Sequence, residues 1–466
     1  MIFSSLEFLF AYLPITILLY FAVPFKLRNL VIFAVSMIFY GWGEPVYIVL
    51  MVVTILVNYI CGYFIGINRE NEKLSRIFLI SSVVISLGIL GFFKYFDFFM
   101  VNLAHIPFLS FLKPLGIELP IGISFYTFQI MSYTIDVYRG EGKMQKNIVN
   151  FGAYVTLFPQ LIAGPIVRYK DIDDQLNKRE HNIELFSDGI RRTVAGLAKK
   201  VLLANTAGEL LASFTSVPAD EMTVVGSWLG IILYTFQIYF DFSAYSDMAI
   251  GMGKMMGFTF LENFNYPYMA KSITDFWRRW HISLSVWFRD YVYIPLGGNR
   301  CGKLKTYRNL LIVWFLTGFW HGASWNYIIW GLYFFVILVC EKSFLLKALE
   351  KVPVFFQRVY ALFFIVIGWL IFYFEDSAAG FEYMLAMFGK NELINSATIY
   401  DLVRLIPFLI ISAIACTPYP RKLYCKLYDK FNSVRILMPV PLFVFMLLAV
   451  AYLVDSSFNP FLYSQF

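Results

Sequence analysis

Residues 310–341 read LLIVWFLTGFWHGASWNYIIWGLYFFVILVCE, from Leu310 to Glu341, a run apolar enough to enter a bilayer. Inside it stand a titratable side chain, His321, glycines Gly318 and Gly322, and tryptophans Trp320 and Trp325. An ionisable group at membrane depth is costly, which makes His321 a candidate functional group. The flanking glycines loosen the helix at that point, as in segments whose backbone lines a cavity instead of facing lipid. The residues alone leave a second reading open, an interfacial histidine held at headgroup level by its tryptophans.

The surrounding chain fits a membrane setting. Its 466 residues are 59% hydrophobic and 15% charged, with 50 Phe, 31 Tyr and a mean hydropathy of +0.66, the composition of a polytopic integral membrane protein. The apolar residues come in long runs, not ten-residue alternations, so an all-α fold and not a barrel is expected. Phe8 to Val23 has neither a basic leader nor a small-residue cleavage site and reads as a retained transmembrane helix. Cys61, Cys301, Cys340, Cys416 and Cys425 form no CxxC pair, so neither a disulfide framework nor a metal site is expected. The net charge of +7 matches cytoplasmic loops rich in Lys and Arg, and no nucleic-acid partner is expected.

Taken in order, further spans are expected at Leu30 to Trp42, Val46 to Ile67 and Ile77 to Phe93, with the basic loop NRENEKLSR inside the cell and the amino terminus outside. In Pro120 to Gly140 the polar residues Ser124, Gln129, Ser132, Thr134 and Asp136 must face protein or water. FGAYVTLFPQLIAGPIVRY is interrupted by Pro159, Gly164 and Pro165 and reads as a broken or re-entrant helix. Arg168 to Arg192 reads as the longest cytoplasmic loop, and His105 and His181 as ordinary surface residues. Spans at Thr193 to Phe214 and Val224 to Ile250 follow, the latter carrying Asp241 and Asp247, which are expected to pair with buried polar groups and hold the bundle in register. YTFQI occurs twice, with Gln129 and Gln237 at equivalent places: two elements lining one cavity, or a chance match in an aromatic-rich chain. Val359 to Phe374, Leu402 to Cys416 and Leu437 to Val454 complete roughly eleven to thirteen membrane segments.

From Ile273 to Asp290, ITDFWRRWHISLSVWFRD places its apolar residues on a single helical stripe, with His281 at the border and Arg278, Ser285 and Arg289 on another face. It reads as one amphipathic helix lying at the interface. Arg300, Lys303, Lys305 and Arg308 follow, so the region suits either a polyanionic ligand or anionic lipid headgroups. The Gly-Gly turn of YIPLGGNR could accept a phosphate, a weak signal alone.

At FWRRWHISLSVWFRDYVYIPLGGNR and FWHGASWNYIIWG the chain resembles the membrane-bound O-acyltransferase (MBOAT) family, and more closely its bacterial branch of alginate and peptidoglycan O-acetylation proteins. SFYTFQ, FPQLIAGPIVRY, DFSAYSDMAIG and NPFLYSQF extend the resemblance nearly end to end, with Ala244 standing where alginate-type members usually have glycine. The resemblance implies one transmembrane domain over residues 1–466, with N-terminal helices to residue 100, a catalytic core over 120–345 and C-terminal helices over 350–466, in which helices surround a central tunnel. It implies His321 as the essential catalytic residue and His281 as a second signature position. It further implies acetyl-CoA as the cytoplasmic donor, a polysaccharide as the acceptor, an extracytoplasmic SGNH-type acetyltransferase as a partner and the bacterial cytoplasmic membrane as the location.

That chemistry suits the residues. Moving an acyl group from a thioester to a hydroxyl needs a base near neutral pH, and histidine is that side chain. No GxSxG elbow suggests an acyl-serine. Trp320, Trp325, Asn326 or amides beside Gly322 are candidate oxyanion donors; Gln129, Gln237, Asp241 and Asp247 are tunnel candidates. Arg278, Arg279, Arg289 and Arg300 are the candidates for the phosphates of coenzyme A. D-alanyl transfer to teichoic acid is the alternative within the family, and a transporter or flippase without chemistry the alternative outside it.

Overall fold

A computed structural model describes residues 1–466 apart from Ala219, 432–436, Met438, 456–457, Phe461 and 463–466. Part of the NPFLYSQF segment therefore lies outside the described residues. All regular structure among the described residues is helical. Seven helices are long and apolar enough to cross a membrane: Phe25–Gly43, Ile48–Ile67, Glu72–Ala104, Val224–Met255, Trp325–Leu349, Val354–Tyr373 and Ser396–Ala415. Phe8–Ala22 and Pro439–Asp455 are apolar but shorter. The described residues group into two compact units, Met1–Thr193 with Tyr245–Leu261, and Val194–Ala244 with Glu262–Leu462.

The first unit holds α1 (Leu13–Ala22), α2 (Phe25–Gly43), α3 (Ile48–Ile67), α4 (Glu72–Ala104), α5 (Ile123–Arg139), α6 (Ile148–Thr156), α7 (Phe158–Leu161), α8 (Tyr169–Asn177) and most of α9 (Ile183–Ala198). The polar residues of α5 turn into protein: Ser124, Gln129, Ser132, Thr134 and Asp136 are all buried. Ser132 Oγ donates to the Gln129 carbonyl at 2.7 Å and accepts the Tyr169 amide at 3.0 Å. The segment expected to be broken is so, at Leu157 between α6 and α7. Its freed backbone finds partners in protein, since the Phe158 amide donates to Ser36 Oγ at 3.1 Å and Tyr154 donates to Val167 O at 3.0 Å.

The expected long loop over Arg168 to Arg192 is corrected. It forms α8 and the start of α9, with Tyr169 and Ile172 fully buried. A charged composition suggested solvent, but the charges are met internally: Arg168 pairs with Asp171 at 2.7 Å, and buried Arg179 stacks over Phe258 at 4.2 Å. His181 is likewise no plain surface residue. Tyr20 donates to Met256 O at 2.6 Å, so the contact at 2.7 Å is His181 Nε2–H donating to the Tyr20 hydroxyl. Burial, helped by Arg28 and Arg179, holds that imidazole below its ordinary pKa. His105 is exposed.

The second unit carries α10 (Thr206–Thr215), the first part of α11 (Val224–Met255), α12 (Ile273–Trp277), α13 (Ile282–Phe288), α14 (Lys303–His321), α15 (Trp325–Cys340), α16 (Leu346–Leu349), α17 (Val354–Tyr373), α18 (Ser377–Met387), α19 (Ser396–Ala415), α20 (Tyr419–Lys430) and α21 (Pro439–Asp455). A π-helical stretch, Lys199–Asn205, joins α9 to α10, so the segment expected from Thr193 begins earlier and is bent. There Lys200 and Asp241 form a fully buried ion pair at 2.6 Å, and the amide of Leu462 donates to the second Asp241 oxygen at 3.0 Å. Asp247, in the first unit, pairs with Arg192 at 2.8 Å. Asp241 thus has the buried partner the sequence led us to expect, whereas the Arg192–Asp247 pair is half-buried.

Candidate active site around His321

The WHG stretch ends α14 and turns into α15 within three residues. The turn is tight because two helices meet backbone to backbone: a Cβ on Gly318 would lie 2.3 Å from Tyr327 O, and one on Gly331 would lie 2.4 Å from Trp314 O. Gly322 is equally constrained, since a Cβ there would lie 2.2 Å from the Tyr327 ring. These glycines fix where the end of α14 stops, and His321 is its last residue.

The His321 side chain is buried among aromatic edges. Its ring centroid lies 5.0 Å from Trp320, 5.0 Å from Trp330 and 5.3 Å from Phe372, all three in edge-on geometry. Trp320 in turn faces His281 at 6.1 Å. The two signature histidines therefore share one indole.

Around His281 the single amphipathic helix expected for Ile273 to Asp290 does not exist. The chain breaks into α12 and α13, and His281 between them takes a left-handed backbone with φ of 43°. Periodicity alone could not reveal the break, because its cause is Asn263, eighteen residues upstream. Asn263 O accepts the Ile282 amide at 2.9 Å, and Asn263 Oδ1 accepts the Ser283 amide at 3.2 Å and the Ser283 hydroxyl at 2.9 Å. The same oxygen lies 3.1 Å from His281 Nδ1. An atom that receives a backbone N–H must be the amide oxygen, so Nδ1 must be the ring's donor and the tautomer is fixed. The apolar stripe expected to face inward is buried in protein, with Ile273, Phe276, Trp280 and His281 inside.

Glu341 holds the other end of this segment and went unnoticed in the sequence. Its buried carboxylate accepts the Ile273 amide at 2.7 Å, the Thr274 amide at 2.8 Å, the Thr274 hydroxyl at 2.6 Å and the Tyr360 hydroxyl at 3.1 Å. A carboxylate at the first amides of α12 is favoured both by those donors and by the helix dipole. No motif announces it, since it closes an apolar run 68 residues after its partner.

Burial lowers the His281 pKa from its ordinary 6.5 to about 3. His281 lies outside the seven candidate spans. Below pH 6.5 the unfolded chain takes up a proton at this position that the folded chain refuses until about pH 3. The folded state should therefore lose stability as pH falls through that window, by up to about 1.4 kcal/mol per pH unit. A His281→Gln variant should have a shallower slope between pH 6.5 and 4.5 in thermal unfolding of detergent-solubilised protein, with His181 contributing equally to both chains. Identical slopes would mean that His281 is not buried neutral.

The other sequence candidates separate. Trp325 is exposed, and buried Asn326 donates to Phe372 O at 3.1 Å. Trp330, which sequence reasoning passed over, is buried against His321, and its Nε1 has no hydrogen-bond partner among the described residues. Gln237 is buried in the second unit, and Gln129 belongs to the first. Arg278, Arg289 and Arg300 are exposed, Arg289 pairing with its neighbour Asp290 at 2.7 Å, while Arg279 pairs with Asp275 at 2.8 Å. The carbonyls of Leu296 and Gly298 in the Gly-Gly turn are taken by Asn309 Nδ2, at 3.1 and 3.0 Å.

Buried helices gathered around a histidine pair suit an enzyme that works inside a membrane. The chain belongs to the MBOAT, membrane-bound O-acyltransferase family, which matches residues 141–385, and it is accordingly a multi-pass membrane O-acyltransferase. It is 44% identical to the "Probable alginate O-acetylase AlgI" of Pseudomonas aeruginosa over 84% of this chain and 75% of that protein. It is 34% identical to the peptidoglycan O-acetyltransferase of Helicobacter pylori, over 84% of this chain and 80% of the relative. With the teichoic acid D-alanyltransferase of Bacillus subtilis it shares 32% identity over 48% of this chain and 59% of the relative.

Proposed function

We propose that the chain takes an acetyl group from acetyl-CoA at the cytoplasmic face of a bacterial inner membrane and passes it through a tunnel that reaches His321. The product is an O-acetylated polysaccharide outside the membrane, peptidoglycan or an exopolysaccharide such as alginate. An extracytoplasmic SGNH-type acetyltransferase would place the group on the polymer. The observation that carries this reading is the aromatic-walled His321 beside His281, in a chain whose acetylase relatives match it over 84% of its length. The D-alanyl relative matches 48%, which favours acetate over D-alanine. The family being one of acyltransferases, a transporter without chemistry is set aside.

In the transfer step the acceptor oxygen attacks the thioester carbonyl carbon while His321 takes the hydroxyl proton. The tetrahedral oxyanion collapses, the C–S bond breaks, and the thiolate recovers that proton from the imidazolium. We assign Trp330 Nε1–H as a donor to the oxyanion, because a buried N–H without a protein partner beside the base is already desolvated and oriented.

The test is chemical. Envelope polysaccharides from cells with and without this chain are analysed for acetate and alanine esters. Loss of acetate esters with alanine esters unchanged is the expected outcome; loss of alanine esters alone would move the assignment to teichoic acid.

A further inference from the structure

One cavity in the second unit lies apart from the residues around His321 and shares only Arg279 with the arginine group read from the sequence. It measures about 510 Å³, and its wall includes Asn265, Tyr266, Arg279, Arg421, Lys422 and Cys425. Three of those six side chains are cations. Arg279 is paired with Asp275, but Arg421 and Lys422 have no ion-pair partner among the described residues.

One side of the wall is built by α20. Tyr419, Leu423, Tyr424 and Leu427 share one face of this helix, and Arg421, Lys422, Cys425 and Lys426 the other. Here no side chain of α20 is buried, Leu423 stays 59% exposed, and the basic side is the one turned to the cavity. Cations converging on one void repel each other unless an anion shares it.

We propose that this cavity binds a phosphate-bearing ligand, with the Arg421 guanidinium and Lys422 ammonium as its new anchors and Arg279 completing the ring. Arginine offers a planar fork of donors to phosphate oxygens, and lysine a mobile point charge. The hydroxyl of Tyr266 and the amide of Asn265 supply neutral polar groups at the same wall. Two sources present this chemistry: a free nucleotide phosphate, or the phosphodiester headgroup of an anionic lipid. The site stands independently of the acetyl-transfer reading.

Its position gives it a route to the histidine segment. The Asn265 amide donates to Arg279 O at 2.9 Å, and Arg279 Nη1 donates back to Asn265 O at 3.3 Å. Each of these residues is two positions from Asn263 or His281, the pair that fixes the break between α12 and α13. A ligand held by Arg279 would thus steady the clasp from outside.

Cys425 makes the proposal testable without any activity assay. It is exposed and lines the cavity, whereas Cys61 and Cys416 are buried. The full chain, purified in neutral detergent, is treated with N-ethylmaleimide, and modification of Cys425 is followed by peptide mass spectrometry. Adenosine 3′,5′-bisphosphate and short-chain phosphatidylglycerol are added in separate arms. One of them should slow Cys425 alkylation about tenfold, and the arm that does so names the source. The protection should vanish in R421Q/K422Q, whose exposed positions put folding at little risk, and persist in K426Q/K430Q. No protection from either probe overturns the proposal. Protection that survives R421Q/K422Q, or is lost equally in K426Q/K430Q, overturns it as well.

Discussion

Replacing His321 with glutamine is expected to reduce acyl transfer by about 10²- to 10⁴-fold, the usual contribution of a positioned general base. Glutamine is chosen because the ring is packed among Trp320, Trp330 and Phe372, and a near-isosteric polar side chain limits the void that alanine would leave. The readout is the acetate ester content of envelope polysaccharide, normalised to the amount of chain in the membrane. A His321→Gln chain that sustains the native ester content would remove His321 from the chemistry.

The second large effect is on stability. Asp241→Ala should destabilise the protein by about 3–5 kcal/mol, because it strands the Lys200 ammonium in the interior. It also removes the acceptor of the Leu462 amide, and Lys200 still donates to the carbonyl of Pro460. Asp241→Asn keeps an oxygen but not the charge, and should fall nearly as far. The double variant K200M/D241L should recover most of the loss, since two apolar side chains of similar volume leave no buried charge behind. Thermal unfolding in detergent measures all three. An Asp241→Ala protein as stable as the native chain would mean that water reaches the pair.

These expectations indicate how far the sequence could be read. The helical membrane class was legible because apolar runs of span length leave little choice, and the FPQLIAGP break because proline and glycine cannot sustain a helix there. His321 stood out as an ionisable group in an apolar run. What stayed hidden depends on partners distant in the chain. Ile273 to Asp290 has an intact helical period, yet Asn263 and Glu341 capture its backbone from either side. Arg179 and His181 looked solvated because charge suggests water, whereas Tyr20 and Phe258 supply a surface for them. Trp330 was one aromatic residue among many until its indole N–H was placed.

The amide oxygen of Asn263 also settles what the neighbouring imidazole can offer a substrate. With Nδ1 committed as donor and the ring uncharged, Nε2 presents a lone pair in one direction. Such a nitrogen can receive an alcohol's hydrogen and aim its oxygen, but it has nothing with which to neutralise a negative charge. In the proposed reaction, steering and charge stabilisation would thus fall to different residues.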